Sequence, residues 1–276
     1  MSQMGGWTRP STLSQALAAL AERPLVPLAG GTDFYPARVG KPIDDDVLDV
    51  TGIAELARIS RDGEGWRIPA RVTWSDLIAA DLPPAFDALK AAAREVGGVQ
   101  IQNAGTLVGN LCNASPAADG VPPLLALDAS VELASLRGTR VLPVSAFVLG
   151  NRRTARAPDE LVVGVRVPDR PSRSAFLKLG ARKYLVISIA MVAANIEAAG
   201  DTVRVARVAV GACSAAARRL PELEAALAGA KLADMARIAT FAHLAPLSPI
   251  DDVRGTAEYR REAALVAVKR VLEALA

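Results

Sequence analysis

Residues 102–133 read QNAGTLVGNLCNASPAADGVPPLLALDASVEL. The first half of this stretch is Gly105, Thr106, Leu107, Val108, Gly109 and Asn110, then Asn113, Ser115, Pro116 and Asp119. That half is too polar and too rich in small residues to be a core element. The second half is apolar and ends in a predicted strand. A small-residue segment held against a large apolar one brings backbone close to a bulky ligand, because glycine lacks the Cβ that keeps neighbours apart. Amides freed in this way donate directly to a phosphate or a ring carbonyl. A long loop with turn residues has the same composition, so this stretch alone leaves both readings open.

Upstream lies a second segment of the same kind. Leu25–Leu28 is a predicted apolar strand that runs straight into Ala29, Gly30, Gly31, Thr32 and Asp33, followed by FYPARVG at 34–40, a short helical turn closed by Gly40. Exposed amides at such a turn favour an anionic group such as a pyrophosphate. Asp33 is itself negative and suits backbone N–H groups or a hydroxyl. The spacing does not fit the dinucleotide fingerprint GxGxxG, and a plain tight turn is the alternative.

The rest of the chain frames these two segments. Ser11 or Thr12 caps a helix carrying Leu13, Ala16, Leu17 and Leu20 at helical spacing. Asp46–Val50 is a predicted strand. Another lies within 53–59 and pairs with Trp66–Pro69 about Asp62-Gly63. Thr73 and Asp76 form a capping pair for a helix over 74–80, and Pro83-Pro84 opens a helix running to about Val96. Ser130–Leu136 and Thr139–Leu142 form a hairpin, Val144–Leu149 a short helix, and Leu161–Val167 a strand. The polar segment 169–173 marks a domain boundary. Beyond it, strands at 174–181, 187–197 and 202–213 are followed by helices at 221–228, 232–244 and 255–275, which indicates an α+β domain.

Composition narrows the chemistry. The chain has 276 residues, is 51% hydrophobic, and carries 32 basic against 29 acidic residues without a concentrated basic face, so it is not read as a nucleic-acid binder. It contains one histidine, His243, and two cysteines, Cys112 and Cys213. A structural zinc site needs about four Cys or His ligands and an iron–sulfur cluster four thiolates, so neither is built within this chain. MSQMGGWTRP lacks a basic start followed by an apolar run. The longest largely apolar run, Leu185–Ala194 with Ser188 inside it, has ten residues, against about 20 for a bilayer span. A soluble cytoplasmic protein with reduced thiols and no membrane span is expected.

Five segments occur in order: LAGGTD (28–33), NAGTLVGNLCNASPAAD (103–119), ELVVGVRVP (160–168), SAFLKLGARKYLVIS (174–188) and DDVRGTAEYRRE (251–262). Together they resemble the FAD-binding medium subunit of the molybdenum hydroxylases, the group of xanthine dehydrogenase and carbon monoxide dehydrogenase. The resemblance covers essentially the whole chain. It implies an α+β fold: a two-subdomain, PCMH-type FAD-binding domain over 1–172 (subdomains about 1–54 and 55–172), then a C-terminal three-stranded sheet with helices over 173–276. It also implies FAD contacts from Leu28, Ala29, Gly30, Gly31, Thr32, Asp33 and Phe34, and from Thr106, Leu107, Val108, Gly109, Asn110 and Asp119. Val96, Val162 and Lys178 match further FAD-contact positions, and Tyr184 is expected to shield a flavin face. Lys178 would stabilise charge at the flavin N1–C2=O edge or neutralise the pyrophosphate. Asp119 would accept hydrogen bonds from ribityl or ribose hydroxyls, or cap the helix that follows.

One departure stands out. The family usually has two adjacent glycines where this chain has Val108-Gly109, so either the backbone here is ordinary or the loop differs. The implied role is electron transfer. A molybdopterin-binding large subunit oxidises the substrate, a small subunit with two-iron two-sulfur clusters passes the electrons on, and the FAD here delivers them to an external acceptor, in a dimer of heterotrimers. Two other readings remain: a self-contained flavin-dependent oxidase, and a non-catalytic nucleotide-binding or assembly module.

Overall fold

A computed structural model describes residues 5–276; Met1–Met4, part of the start read above for a leader, lie outside the described residues. Among the described residues no helix is long and apolar enough to cross a membrane.

The chain begins with a small parallel sheet in which Val47–Asp49 lies between Trp7–Thr8 and Val26–Leu28. Parallel strands need a crossover, and the helix Leu13–Glu22 supplies the one between the two outer strands. Thr12 caps it by accepting from the Gln15 N–H. Ala16 and Leu20 on its inner face and Val47 and Leu48 on the central strand are buried.

A five-stranded antiparallel sheet follows, ordered Ser60–Asp62, Gly65–Pro69, Leu161–Val167, Ser130–Ser135, Gly138–Pro143. The helix Trp74–Ala79 starts at a capping box: Thr73 Oγ1 accepts from the Asp76 N–H, and the Asp76 carboxylate accepts from the Thr73 N–H. The predicted helix from Pro83 to Val96 is present as a single 3-10 turn, Pro84–Phe86, leading into Asp87–Glu95.

The last sheet contains the three long expected strands, Arg173–Leu179, Ala190–Ala199 and Thr202–Gly211, and adds a two-residue edge strand, Arg218–Arg219. Its central strand is buried on both sides, which accounts for the unbroken apolar run at 189–194. Val192, Ala194 and Ile196 pack toward the helix Ala257–Glu273. Ala193 meets Ala88 and Ala126 on the helices Asp87–Glu95 and Val121–Ala126. Alanines at this contact let the two helices approach the last sheet closely.

The predicted helix over 232–244 is broken instead into Leu232–Asp234, Met235–Ile238 and Phe241–Leu244. Thr240 starts a fresh turn there, its N–H donating to His243 Nδ1 at 3.1 Å, which gives the single histidine a capping role. Arg260, in the fifth motif, is almost fully buried and donates to the carbonyls of Ile189 and Ala212 and to Asp252, tying the last helix to the sheet.

Candidate cofactor site

The site starts where Val26–Leu28 leaves the parallel sheet. At Gly30 the turn touches the segment before Thr106: a Cβ on Gly30 would stand 1.7 Å from the Ala104 carbonyl oxygen. Gly31 has φ +70°, a conformation side chains other than glycine rarely take. The turn is fixed downstream as the Gly31 carbonyl accepts from the Tyr35 N–H at 3.1 Å and the Asp33 carbonyl from the Ala37 N–H at 3.2 Å. Arg38 lies over the Phe34 ring at 3.7 Å and pairs with Asp45 at 2.6 Å. That hydrogen bond holds the Asp45 carboxyl below its ordinary range, with burial opposing it.

Facing this turn, the polar half of the 102–133 stretch is helical rather than a loop. Thr106 caps the helix Leu107–Asn113, its Oγ1 accepting from the Gly109 N–H at 2.9 Å. Leu107, Val108 and Leu111 form a buried face, so the stretch is both a core element and a cavity wall. Val108 sits inside this helix and is absent from the positive-φ residues, so the departure from paired glycines leaves an ordinary backbone. Before the cap, the Gly105 carbonyl accepts from the Trp74 N–H at 3.1 Å, and the Leu107 N–H donates to Val72 at 3.2 Å. Asn110 Oδ1 accepts from the Gly120 N–H at 3.2 Å.

Between the two segments lies a cavity of about 560 Å³. Leu28, Ala29, Gly30, Gly31, Thr32, Asp33 and Phe34 line one side, and Thr106, Val108, Gly109 and Asn110 line another, with Val96 and Val162 completing the walls. This size is ordinary for a cofactor pocket. A smaller hollow of about 360 Å³ beside Phe241 and Glu258 has no part of either glycine segment in its lining.

Leu107, Asp119, Lys178 and Tyr184 are not in the lining. Leu107 is fully buried in the main core, so it packs on protein. Lys178 and Asp119 meet each other: Nζ donates to Asp119 Oδ2 at 2.6 Å and to the Glu95 carbonyl at 3.1 Å, with the two side chains only 5% and 9% exposed. Ser188 donates to the other Asp119 oxygen at 2.7 Å. Burial pushes the Asp119 carboxyl above its ordinary value while Lys178 and Ser188 pull the other way. Asp119 does not cap the next helix either; Gly120 occupies that position without a side-chain cap. Tyr184 is 64% exposed with the Lys183 ammonium 5.4 Å from its ring.

The cavity also includes side chains not singled out from the sequence for this site, among them Trp74, Ile101, Cys112, Asn113, Arg152 and Arg156. Cys112 is partly exposed, and burial pushes its thiol up to about 12 against the nearby Arg156 charge. Such a thiol stays protonated and unreactive at neutral pH. Arg152 is one of two adjacent arginines, and nothing local in the sequence distinguishes it from Arg153.

The residues present suit a flavin dinucleotide. A glycine contact that any Cβ would spoil brings two backbone segments together, apolar walls stand at Val96 and Val162, and Arg152 and Arg156 supply positive charge beside the Asp45-paired Arg38. Comparison with known proteins agrees. The family described as "FAD binding domain in molybdopterin dehydrogenase" matches residues 2–170, and "CO dehydrogenase flavoprotein C-terminal domain" matches residues 175–275. The nicotine 6-hydroxylase medium subunit of Paenarthrobacter nicotinovorans is 30% identical over 254 residues, covering 89% of this chain and 87% of that one. The xanthine dehydrogenase FAD-binding subunit of Escherichia coli O157:H7 is 29% identical over 280 residues, covering 99% and 96%. A chain of reconstituted CO dehydrogenase from Oligotropha carboxidovorans superposes with a TM-score of 0.87 at 27% identity, covering 100% of both chains. Sequence, fold and cavity together place this chain in the family of FAD-binding subunits of the molybdenum hydroxylases, as an oxidoreductase component.

Proposed function

We infer that this chain is the electron-transfer flavoprotein subunit of a larger complex. Bound FAD supplies an interchange between one-electron carriers and a two-electron acceptor. The chain's own residues bind and orient it. The Gly30–Asp33 turn and the Thr106–Asn110 segment hold the dinucleotide from two sides, and Val96 and Val162 give it apolar walls. Residues 1–172 act as the FAD-binding domain, with 173–276 as the second domain. The Lys178–Asp119 pair is a positioning element: it anchors the Glu95 carbonyl, next to Val96 in the cavity wall. A molybdopterin-binding large subunit and an iron–sulfur small subunit complete the unit, paired as a dimer of heterotrimers in the cytoplasm, with electrons entering from the iron–sulfur clusters and leaving to an external acceptor.

The observation that carries this reading is the cavity itself, built from the two segments that the family match spans. Native purification with mass measurement of the co-eluting chains tests it. The expected result is a yellow complex with two further chain types, whose flavin is bleached by the complex's substrate and released on denaturation. A colourless chain purified alone, or a single chain that turns over substrate without partners, contradicts it. Flavin that stays attached after denaturation favours the self-contained oxidase.

A further inference from the structure

Arg152 and Arg156 close the end of the cavity at Asn113. The helix Leu107–Asn113 spans roughly 10 Å at 1.5 Å per residue, and the glycine turn meets the chain at its other end, near Thr106. The charged residues of the lining are Asp33, Arg38, Arg152 and Arg156. Arg38 is neutralised by Asp45. Among the described residues, neither Arg152 nor Arg156 has a carboxylate partner: Arg152 donates to the Asn113 side chain, and a single Nη of Arg156 is shared among the carbonyls of Ala157, Pro158 and Glu160.

Their placement is held by the fold. Arg152 has φ +56°, a backbone conformation that disfavours residues other than glycine. It is fixed there because its N–H donates to the Ala114 carbonyl at 2.9 Å, and Ala114 itself has φ +47° at the end of the helix. Left-handed non-glycine residues concentrate at ligand-holding sites. A guanidinium without a carboxylate, held at a cavity wall, matches phosphate oxygens through paired N–H donors.

We propose that Arg152 and Arg156 form the phosphate-recognising end of this cavity and bind the adenosine diphosphate half of the cofactor. The assignment rests on the reading that the cavity binds FAD, and deepens it by naming what selects the dinucleotide. Charge-assisted hydrogen bonds of this kind each change affinity by about tenfold or more.

The flavin-free full chain titrated with FAD, ADP and riboflavin tests this, alongside Arg152→Gln, Arg152→Gly and Arg156→Gln. In the wild type, ADP competes with FAD. Each variant weakens FAD and ADP binding by about tenfold or more and leaves riboflavin binding unchanged, and the salt dependence of FAD affinity falls. Arg152→Gly suits the left-handed backbone, so its melting temperature holds while affinity drops, which separates ligand recognition from folding. Arg156 also braces the 157–160 turn, so the Arg152 variants decide if Arg156→Gln unfolds. Wild-type uptake of FAD with unchanged FAD and ADP affinities in the Arg152 variants overturns the assignment and leaves the FAD reading intact. Undiminished ADP binding to the FAD-loaded chain, lost in the Arg152 variants, also overturns it, by moving these arginines to a separate nucleotide site. A wild-type chain that takes up no FAD overturns both readings.

Discussion

Glu95 and Val96 are neighbours in sequence, yet they serve regions that handle charge in opposite ways. On the Val96 side, the cavity offers backbone, small residues and two arginines, Arg152 and Arg156, with no carboxylate partner among the described residues. On the Glu95 side, Lys178, Asp119 and Ser188 saturate one another in a buried cluster. Open charge beside a cavity is suited to a ligand, whereas closed charge beside it holds the wall in place. Lys178 and Asp119, both read from the family motifs as ligand contacts, fall together in the closed cluster.

The largest expected effect strikes the closed cluster. Lys178→Met strands a buried carboxylate and costs about 3–5 kcal/mol, seen as a shift in the urea midpoint; pairing it with Asp119→Leu recovers much of that loss. A loss well under 1 kcal/mol from Lys178→Met would mean that the cluster is hydrated. The next strikes the open region. Gly30→Ala drives a methyl group into the Ala104 carbonyl, costs about 1–3 kcal/mol by overpacking, and reduces FAD retention on gel filtration, whereas Lys178→Met acts chiefly on stability. Thr106→Ala removes the helix cap at Gly109 for about 1 kcal/mol, and Thr106→Ser restores it in thermal melts.

Acid sharpens the contrast further. Asp128 lies at the junction of the two sheets and receives Arg170, Arg219 and Arg207. Burial opposes ionisation there, but the arginines prevail and hold its carboxyl below the ordinary value. Its stabilising contribution is therefore complete above the unfolded carboxylate value near about 4 and fades as pH falls through the lower folded value. For Asp119 the shift is upward, chiefly from burial, so its contribution weakens as pH rises from that same unfolded value through the higher folded one. Melting temperature against pH should lose part of its acid slope in Asp128→Asn. In Asp119→Asn the slope should change with the opposite sign, the baselines being set aside because that variant also breaks the pair. The same sign in both variants would refute the contrast.

Locally encoded features were legible in the sequence. Thr12 and the Thr73–Asp76 pair cap helices as their spacing indicates, and Leu161–Val167 is a strand with the predicted ends. Non-local features were not. The parallel pairing of Trp7–Thr8 with Val47–Leu48 joins residues 40 positions apart through a two-residue strand, too short for any periodicity to mark. Gly109, Asn110 and Asn113 inside it, with Gly105 and Ser115 on its flanks, disguised the helix at 107–113 as a loop, because its buried face is only Leu107, Val108 and Leu111. At the site, the glycine turn was readable because close backbone approach demands glycine. The Lys178–Asp119 contact spans 59 positions and left no local trace, and an arginine lining a cavity is spelled the same way as a solvated one.

The most direct test of the central claim is a crystal structure of the full chain with FAD. The account predicts one dinucleotide lying between Gly30–Asp33 and Thr106–Asn110, with Lys178 still paired to Asp119. Flavin density elsewhere, or both segments packed against each other with the cavity closed, would contradict it.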